Sequence, residues 1–377
     1  MKKGVLIISP SFHPDMGGIA THLDDLCRYL TRTGHKIFVA TCQPIMTKKN
    51  AEYFEHSENV VILRAPLLGW RFFIPSGRLR FVYETLLLFT TGFFIFFFNA
   101  RSIDVIHAHG HTAAFAAKLL KSVFSKRAIL STHNLLGFNP KKLSNRIIKK
   151  SLCSMDFIWT ISQESKDELI RMGVSCEKIG IFTHWVNHDI FSHTGKQQSK
   201  ARLGWADKFV VLFVGRLEPA KGTDILMNVA SQSNGNMTFA FIGKGSMTEI
   251  IQNISTYSSN VYYIGEIENT KLPLYLSAAD VLVVPTPANE GFGRNIIEAL
   301  ACGLPVIGTN IGRMPEIIEQ DVGLIVTPPY DENIKTALYN LYNNPEKLAH
   351  FANNAAKYAR QKYCDSHASS IVSSYEV

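Results

Sequence analysis

The stretch "GVLIISPSFHPDMGGIATHLDDLCRYLTRTGHKIFVATC", residues 4–42, decides the fold class. Its opening run, 4–10, is short, apolar and closed by Ser and Pro, which is typical of a buried strand. An amphipathic helix ended by Gly34 comes next, and a second apolar run, 36–42, follows it. The stretch therefore predicts a strand–helix–strand unit. The apolar positions of its helix are Ile19, Leu23, Leu26 and Leu30.

The same strand–helix cycle recurs along the chain, which predicts parallel sheets covered by helices on both faces. A chain of 377 residues is too long for one ordinary core, and a polar stretch interrupts the cycle after residue 185. We therefore predict two Rossmann-like α/β domains. Their bounds are 1–185 for the first domain, 186–207 for a linker, 208–355 for the second domain and 356–377 for a C-terminal helix that packs back on the first domain.

Positive charge is concentrated in the first half. Residues 1–185 contain 24 Lys and Arg against 13 Asp and Glu, whereas the remainder contains 15 against 18. A basic half indicates an anionic partner, which is a nucleic acid, a membrane surface or a phosphorylated substrate. Nucleic acid is not expected, since no zinc-finger, RNA-recognition or arginine-rich pattern is present. The six scattered cysteines favour reduced thiols in a cytosolic protein.

Three segments of this half suggest contact with a membrane surface. Thr85–Phe98 is uncharged and apolar but shorter than the roughly 20 residues of a spanning helix. Trp70–Arg80 mixes aromatic residues with arginines, and Lys141–Lys150 holds five cations. Cations beside aromatic residues suit a peripheral contact with an anionic membrane. The alternative is a buried core helix with a solvated cationic face.

Glycine-rich turns follow several predicted strands. Gly17 and Gly18 precede the first helix, whose N-terminal N–H groups suit a phosphate or a developing anion. Gly243 lies in "IGKGSM", which lacks the third glycine of the dinucleotide fingerprint. A dehydrogenase that binds NAD is therefore not expected.

Two cations follow the strand "FVVLFVGR", residues 209–216. Arg216 and Lys221 lie just beyond this strand and just before a helix, where both can reach the carboxyl edge of the sheet. Two fixed cations there would bind a diphosphate and stabilise its departure. The alternative is a surface arginine and a lysine at a helix start, with Glu218 as a partner.

The motif "HAHGH" ends another predicted strand with His107, His109 and His111. Alternating histidines share one face of a continuing strand, as a metal site requires. No carboxylate or cysteine completes such a set nearby, so we prefer a single histidine that donates a hydrogen bond at the strand end.

The stretch "ANEGFGRNIIEALACGLPVIGT", residues 288–309, places two carboxylates around a glycine turn. Glu290 precedes a helix that begins near Arg294, and Glu298 lies in its first turns. Carboxylates accept hydrogen bonds from vicinal hydroxyls, which suits a sugar and a ribose. The alternative is that Glu298 only pairs with Arg294 at i, i+4.

In their order along the chain, these segments resemble the retaining GT-B glycosyltransferases of the family 4 type. The resemblance rests on "EGFGRNIIEALACGLPVIGTNIGRMPEI", "FVGRLEPAKG", "YYIGEIENTKLPLYLSAADVLVVPT", "DVIHAHGHTAAFAA" and "MGGIATHLDDLCRYLTRTGHKIFVAT". It implies a GT-B fold, in which two Rossmann-like domains face each other across a cleft. It also implies transfer of a sugar from a UDP- or GDP-linked donor to a glycan or lipid-linked acceptor, with retention of anomeric configuration.

The resemblance further implies residue roles. Glu298 would bind the ribose and Glu290 the transferred sugar, while Arg216 and Lys221 would hold the diphosphate. His109 would contact the sugar near the reacting carbon. No cofactor and no metal at the diphosphate are expected, because Arg216 and Lys221 would supply the charge stabilisation. No protein base is obligatory, because the leaving phosphate oxygen would help to deprotonate the acceptor. The remaining expected donor-site residues are Gly17, Gly18, Gly243, Gly291, Phe292, Gly293 and Arg294.

The chain departs from the family pattern at two points. Trp185 and Asn187 stand where the family commonly has Gly and Asp, which puts the hinge in question. Arg313 is new and would reach a donor anion or only solvent. Two alternatives are a nucleotide-sugar epimerase, which shares the architecture, and, from another class, a non-catalytic protein that binds sugar nucleotides. We expect a cytoplasmic enzyme at the inner face of the cell membrane.

Overall fold

The computed structural model describes residues 2–15, 17–44, 51–66, 78–133, 143–233, 235–288 and 292–376, apart from the side chains of 78 and 143–147. The chain divides into two compact units. The first unit comprises Met1–His184 with Asp365–Val377, and the second comprises Trp185–Cys364.

The first unit is built on an eight-stranded sheet. Its elements are β1 (Gly4–Ile8), α1 (Gly18–Arg32), β2 (Lys36–Cys42), β3 (Phe54–His56), β4 (Val60–Ala65), α2 (Arg78–Asn99), β5 (Val105–His109), α3 (His111–Phe124), β6 (Arg127–Ser131), α4 (Leu143–Cys153), β7 (Phe157–Thr160), α5 (Gln163–Arg171) and β8 (Ile179–Ile181). The strand order is β3-β4-β2-β1-β5-β6-β7-β8. Neighbouring strands are parallel, except for the antiparallel pair β3 and β4 at one edge.

Helix α1 ends as its sequence predicts. Gly34 has a φ of +81°, which a residue with a side chain rarely adopts. The backbone N–H of His35 donates back to the carbonyl of Leu30 at 2.9 Å, which satisfies a carbonyl at the helix end. Leu23, Leu26 and Leu30 are fully buried, so the predicted apolar face packs against the sheet.

The second unit is built on a six-stranded parallel sheet. Its elements are α6 (Lys196–Leu203), β9 (Phe209–Val214), α7 (Thr223–Ser231), β10 (Met237–Ile242), α8 (Thr248–Tyr257), β11 (Val261–Gly265), α9 (Leu272–Ala278), β12 (Val281–Val284), α10 (Arg294–Ala301), β13 (Val306–Thr309), α11 (Met314–Ile317), β14 (Gly323–Val326), α12 (Tyr330–Tyr342) and α13 (Pro345–Lys362). The strand order is β11-β10-β9-β12-β13-β14.

Both faces of this second sheet are buried. Along β9, Val210 and Leu212 belong to one hydrophobic cluster, whereas Val211 and Phe213 belong to another. Because successive side chains of a strand point to opposite faces, the two clusters are the two covered sides of the sheet. The prediction of two α/β units with parallel sheets is confirmed.

The C-terminal residues return to the first unit. Helix α14 (Ser366–Ser373) is followed by Ser374, whose carbonyl accepts from Nε of Arg127 at 2.9 Å and whose Oγ accepts from Nε1 of Trp159 at 3.0 Å. The predicted segment 356–377 is therefore divided, because residues up to Cys364 belong to the second unit.

The stretch predicted as a linker, 186–207, is a part of the second unit. Trp185 and Trp205 are both buried there, and the N–H of Val186 donates to the carbonyl of Tyr363 at 3.1 Å. Polar composition suggested a linker, but large aromatic side chains hold the stretch against the second core. Asn187 accepts from the N–H of Asp189 at 3.0 Å in a local turn.

Helix α2 has both a core face and an exposed apolar face. Leu88 and Phe96 are fully buried, whereas Leu86, Phe97 and Phe98 are 57%, 66% and 77% exposed. Among the described residues, Leu79–Asn99 is the single helix long and apolar enough to cross a membrane. Of its most apolar stretch of 18 residues, 39% is buried. Core helices of soluble proteins also meet that criterion. The core interpretation of 85–98 therefore holds for one face of the helix, and membrane contact of the exposed face stays a prediction.

The other two predicted membrane segments lie largely outside the described residues. Trp70–Arg80 overlaps the described chain only at its last three positions. Within Lys141–Lys150, the described side chains are those of Ile148, Lys149 and Lys150, and both lysines are exposed.

Candidate active site

The topology of the second unit marks one place at the carboxyl edge of its sheet. From β9 the chain proceeds to β10 and β11 on one side, and it then returns to β12, β13 and β14 on the other. The connections after β9 and β12 therefore run in opposite directions and leave a crevice, where open α/β sheets bind ligands. Arg216 and Lys221 follow β9, and Arg294 and Glu298 follow β12, so the topology brings the predicted donor residues to this point.

Arg216 is the most accessible of these charges. Its side chain is 54% exposed, and its Nη1 lies 2.9 Å from Oε2 of Glu218. The ion pair considered as an alternative is thus present, but an exposed pair of this kind contributes little and exchanges readily with another anion. Lys221 ends a single turn of 3₁₀ helix, Pro219–Lys221, and is half-buried.

Three glycines allow the connections around these cations to pack closely against neighbouring backbone. A Cβ on Gly222 would lie 2.1 Å from the carbonyl oxygen of Pro285 beyond β12. A Cβ on Gly243 would lie 1.9 Å from that of Gly215, and one on Gly245 would lie 2.3 Å from that of Leu217. Backbone contacts this close tolerate no side chain. Gly243 therefore supports the loop that carries Arg216, a packing role that its sequence context did not indicate.

Helix α10 presents its start to the same crevice. Gly293 precedes it with a φ of +70°. Arg294 and Glu298 are both buried, and Nη2 of Arg294 lies 3.5 Å from Oε1 of Glu298. Nη1 of Arg294 also donates to the carbonyl of Trp185 at 3.3 Å. Arg294 is thus buried within the second unit, and the i, i+4 alternative for Glu298 exists in the structure.

Asn295 was missed by the sequence analysis. Its Nδ2 donates to the carbonyl of Val214, the last residue of β9, at 2.9 Å. The side chain of Asn295 therefore connects the start of α10 to the strand that precedes Arg216. Only its position after the glycine turn could have drawn attention to it.

Phe292 and Arg313 form a local contact. Phe292 is buried, and the guanidinium of Arg313 lies 5.0 Å from the centre of its ring, within cation–π range. Nε of Arg313 also lies 2.8 Å from Oε2 of Glu316. Arg313 is therefore engaged within the second unit. Glu290 and Gly291 lie outside the described residues.

The first unit has an equivalent change of direction between β1 and β5. From β1 the chain moves to β2 on one side, and from β5 it moves to β6, β7 and β8 on the other. Gly17 and Gly18 follow β1 and are exposed, and His109 is the last residue of β5. The φ of Gly17 is +140°, and a Cβ there would meet nothing within 4 Å. Backbone conformation, not crowding, therefore requires this glycine.

Of the three histidines of "HAHGH", His107 and His109 share one face of β5, with ring centres 4.2 Å apart, and His111 is separate. His107 is hydrogen-bonded to the hydroxyls of Tyr375 and Ser131, both at 2.8 Å, and burial lowers its pKa to about 3. His111 lies at the start of α3 and stacks on Phe81. His109 is fully buried, and desolvation, with neighbouring histidines, holds its pKa well below the ordinary value. His109 is therefore a neutral hydrogen-bonding group.

His109 also belongs to a larger group, which we call the histidine cluster: His22, His109, His133 and His184. Nδ1 of His109 lies 3.1 Å from Nε2 of His133, and Nδ1 of His184 lies 3.2 Å from Nδ1 of His22. All four are buried, and Phe182 packs against three of the rings.

The sequence analysis missed three of these four residues. His22 is on α1, His133 follows β6 and His184 follows β8. Each stands in a Thr-His pair, at 21–22, 132–133 and 183–184, which is the one signal that the sequence carries. Such widely separated positions meet only because parallel strands end at one edge of the sheet.

Comparisons with known proteins cover both units. Residues 16–190 match the sequence model of Glycosyltransferase Family 4, and residues 195–358 match that of Glycosyl transferases group 1. A phosphatidylinositol N-acetylglucosaminyltransferase subunit from Homo sapiens is 23% identical over 359 residues, which is 89% of this chain and 69% of that protein.

Solved structures show the same fold over the full chain. Sucrose-phosphate synthase from Thermosynechococcus elongatus superposes with a TM-score of 0.81 at 23% identity, covering 100% of this chain and 98% of that one. HepE from Anabaena, in complex with UDP-glucose, superposes with a TM-score of 0.74 at 20% identity, covering 98% and 99%.

Proposed function

Because this chain belongs to the GT-B glycosyltransferases, with a family 4 domain and a group 1 domain, we propose that it transfers a sugar from a UDP- or GDP-linked donor with retention of anomeric configuration. The acceptor is a glycan or a lipid-linked glycan in the synthesis of cell-envelope polysaccharide or glycolipid. A relative named for glycosyl transfer to phosphatidylinositol and a structural neighbour bound to UDP-glucose support these choices of acceptor and donor.

One observation carries the proposal. Arg216 and Lys221 lie beyond β9, and Asn295 and Glu298 lie beyond β12, on the two sides of the crevice at the carboxyl edge of the second sheet. Cations on one side suit a diphosphate, and a carboxylate on the other suits the ribose hydroxyls of the same nucleotide. A nucleoside diphosphate therefore matches the chemistry of both sides.

The leaving group requires charge stabilisation. As the glycosidic bond breaks, negative charge develops on the diphosphate, and fixed cations stabilise that charge without reorganisation of solvent. We assign this task to Arg216 and Lys221, and we propose that no divalent metal is needed for it. Arg216 would exchange its exposed contact with Glu218 for the diphosphate.

We assign the sugar and ribose ends of the donor from the resemblance to the family. Glu298 would accept from the ribose hydroxyls, and Glu290 would bind the transferred sugar, with the backbone N–H groups of Gly291, Phe292 and Gly293 along it. In the first unit, we assign to His109 a contact with the sugar near the reacting carbon. Its neutral imidazole offers a hydrogen bond there without adding a charge.

The proposed chemistry needs no protein base. The acceptor hydroxyl attacks the anomeric carbon on the face that the diphosphate leaves. A bond forms between the acceptor oxygen and the anomeric carbon, and the bond between the anomeric carbon and the phosphate oxygen breaks. The proton of the acceptor hydroxyl passes to the departing phosphate oxygen. The backbone N–H groups that follow Gly17 and Gly18 at the start of α1 would favour the developing anion.

We further propose that the enzyme works in the cytoplasm, peripherally at the inner face of the cell membrane. The exposed face of α2 presents Leu79, Val82, Phe97 and Phe98, and the exposed Arg101 lies two residues beyond the end of the helix. An apolar face flanked by cations suits the interface of an anionic membrane.

Release of free nucleoside diphosphate tests the proposal. We expect release from a UDP- or GDP-sugar in the presence of an extracted lipid-linked acceptor, and no comparable release without it. Lys221→Ala and Glu298→Ala should each abolish release while near-UV circular dichroism stays unchanged. Lys335→Ala is the matched control, since this half-buried lysine, like Lys221, lies at the second unit's surface, on α12, and donates to Gln232 at 3.2 Å.

Each alternative has its own outcome. An isomerised nucleotide sugar without diphosphate release would identify an epimerase. Binding of the nucleotide sugar without turnover would identify a non-catalytic binding protein. Full activity in both Lys221→Ala and Glu298→Ala would contradict the assigned donor site.

A further inference from the structure

The histidine cluster has the composition and the spacing of a metal site. One ring nitrogen from each of His22, His109 and His133 lies within 4.8 Å of the other two, and all three residues are buried. A tetrahedral zinc ion with bonds of about 2.0–2.1 Å holds its ligand atoms roughly 3.3 Å apart. The 3.1 Å between Nδ1 of His109 and Nε2 of His133 is already close to that separation.

We propose that His22, His109 and His133 bind one divalent transition-metal ion of the Zn²⁺ type. Imidazole nitrogens favour zinc, cobalt, nickel and copper, whereas magnesium and calcium favour oxygen ligands. Three histidines leave a fourth position for water or an anion. His184 is then a positioning residue, because it contacts His22 at 3.2 Å and orients that ring.

Rigid elements support the three proposed ligands. His109 ends β5 in the middle of the sheet, His133 follows the adjacent β6, and His22 lies on the buried face of α1. An ion would therefore cross-link α1 to the carboxyl edge of the sheet. The ring of Phe182, 5.4 Å from that of His22 and 5.8 Å from that of His133, excludes water from one side.

The consequence for activity rests on the proposed function. His109 is assigned to the transferred sugar, so an ion held by its imidazole removes that contact. Transition-metal binding should therefore stop sugar transfer, although transfer itself uses no metal. The site would act as an inhibitory metal switch in the first unit, separate from the diphosphate contacts of the second.

Direct metal binding tests the proposal without any sugar substrate. The full chain, freed of any affinity tag, is titrated with Co²⁺ and followed by visible absorption, since tetrahedral cobalt absorbs far more strongly than hydrated cobalt. One tight site per chain is expected, and Zn²⁺ should displace the cobalt. His22→Ala and His133→Ala should each weaken binding at least tenfold. The chain has 13 histidines, so His111→Ala serves as the matched control and should bind as the wild type does.

The outcomes separate the two proposals. The absence of a tetrahedral cobalt signal, or equal binding by the wild type and both cluster variants, would overturn the metal site and leave sugar transfer untouched. Tight binding that leaves diphosphate release unchanged would overturn the inhibitory switch. If either alanine variant does not fold, His22→Gln and His133→Gln replace them, because an amide keeps a hydrogen bond but is a poor zinc ligand.

Discussion

The substitution Gly243→Ala tests the way in which the donor loops are held. An added Cβ would lie 1.9 Å from the carbonyl oxygen of Gly215, whereas carbon and oxygen in contact lie about 3.3 Å apart. The two backbones must therefore separate by about 1.4 Å. Gly215 directly precedes Arg216, so this displacement moves the proposed diphosphate contact.

The expected magnitude has two parts. The φ of Gly243 is +130°, and a residue held in such a sparsely populated backbone region costs about 1–3 kcal/mol. Forcing an extra carbon into a packed site adds about 1–3 kcal/mol. Gly235→Ala is the matched control, because Gly235 has a φ of +78° and a Cβ there would meet nothing within 4 Å. The control carries the conformational cost alone.

Urea unfolding followed by tryptophan fluorescence measures the difference, since Trp185 and Trp205 are buried in the second unit. We expect Gly243→Ala to lose about 2 kcal/mol more than Gly235→Ala. Nucleoside-diphosphate release should fall about a hundredfold in the first variant, because a misplacement near 1 Å has that effect. Equal stability and equal activity in the two variants would refute the close packing of these loops.

Three further outcomes are expected. EDTA should leave diphosphate release undiminished, and a strict requirement for a divalent ion would contradict the proposed charge stabilisation. The double substitution Phe97→Ser and Phe98→Ser should weaken cosedimentation with anionic vesicles at least tenfold, since burial of each ring contributes about 1.5–3 kcal/mol. Tyr257→Ser, which removes an exposed aromatic ring of the second unit, should leave cosedimentation unchanged. Equal loss in both variants would contradict the membrane assignment. Burial lowers the pKa of His107 from 6.5 to about 3, so the unfolded chain binds more protons between these values. The contribution of His107 to stability is complete above pH 6.5 and is lost as the pH falls towards 3. In urea unfolding at pH 7 and pH 5, His107→Gln should therefore lose less stability between the two pH values than the wild type, and an unchanged difference would refute this.

The helices and strands followed closely from local patterns. Apolar runs predicted β2 over 36–42 and β9 from residue 209, and both begin where predicted. Several strands end earlier than predicted because glycine, serine or proline at the carboxyl edge already starts the turn. β3 and β8 were not predicted, since strands of three residues are too short to show periodicity.

The donor residues of the second unit were accessible from the sequence because each belongs to one contiguous motif. Arg216 and Lys221 lie in one strand-to-helix connection, and Arg294 and Glu298 lie in another. The burial of Arg294 and Glu298 could not be predicted from the sequence. Arg294 contacts the carbonyl of Trp185, and the neighbouring Asn295 contacts Val214 of β9, and both partners are remote along the chain.

The sequence by itself determined the α/β class, the number of units and the connections that carry charge, because strand and helix periodicity and strand-to-helix turns are local properties. Only the tertiary structure decided which distant side chains meet. His22, His109, His133 and His184 are spread over 163 residues of sequence, and they become neighbours because parallel strands end at one edge. His107 and His109 share one face of β5, with ring centres 4.2 Å apart, whereas His111 does not join them. Alternation along a strand predicts a shared face, but the strand ends at His109, and the turn that follows takes His111 to the start of α3.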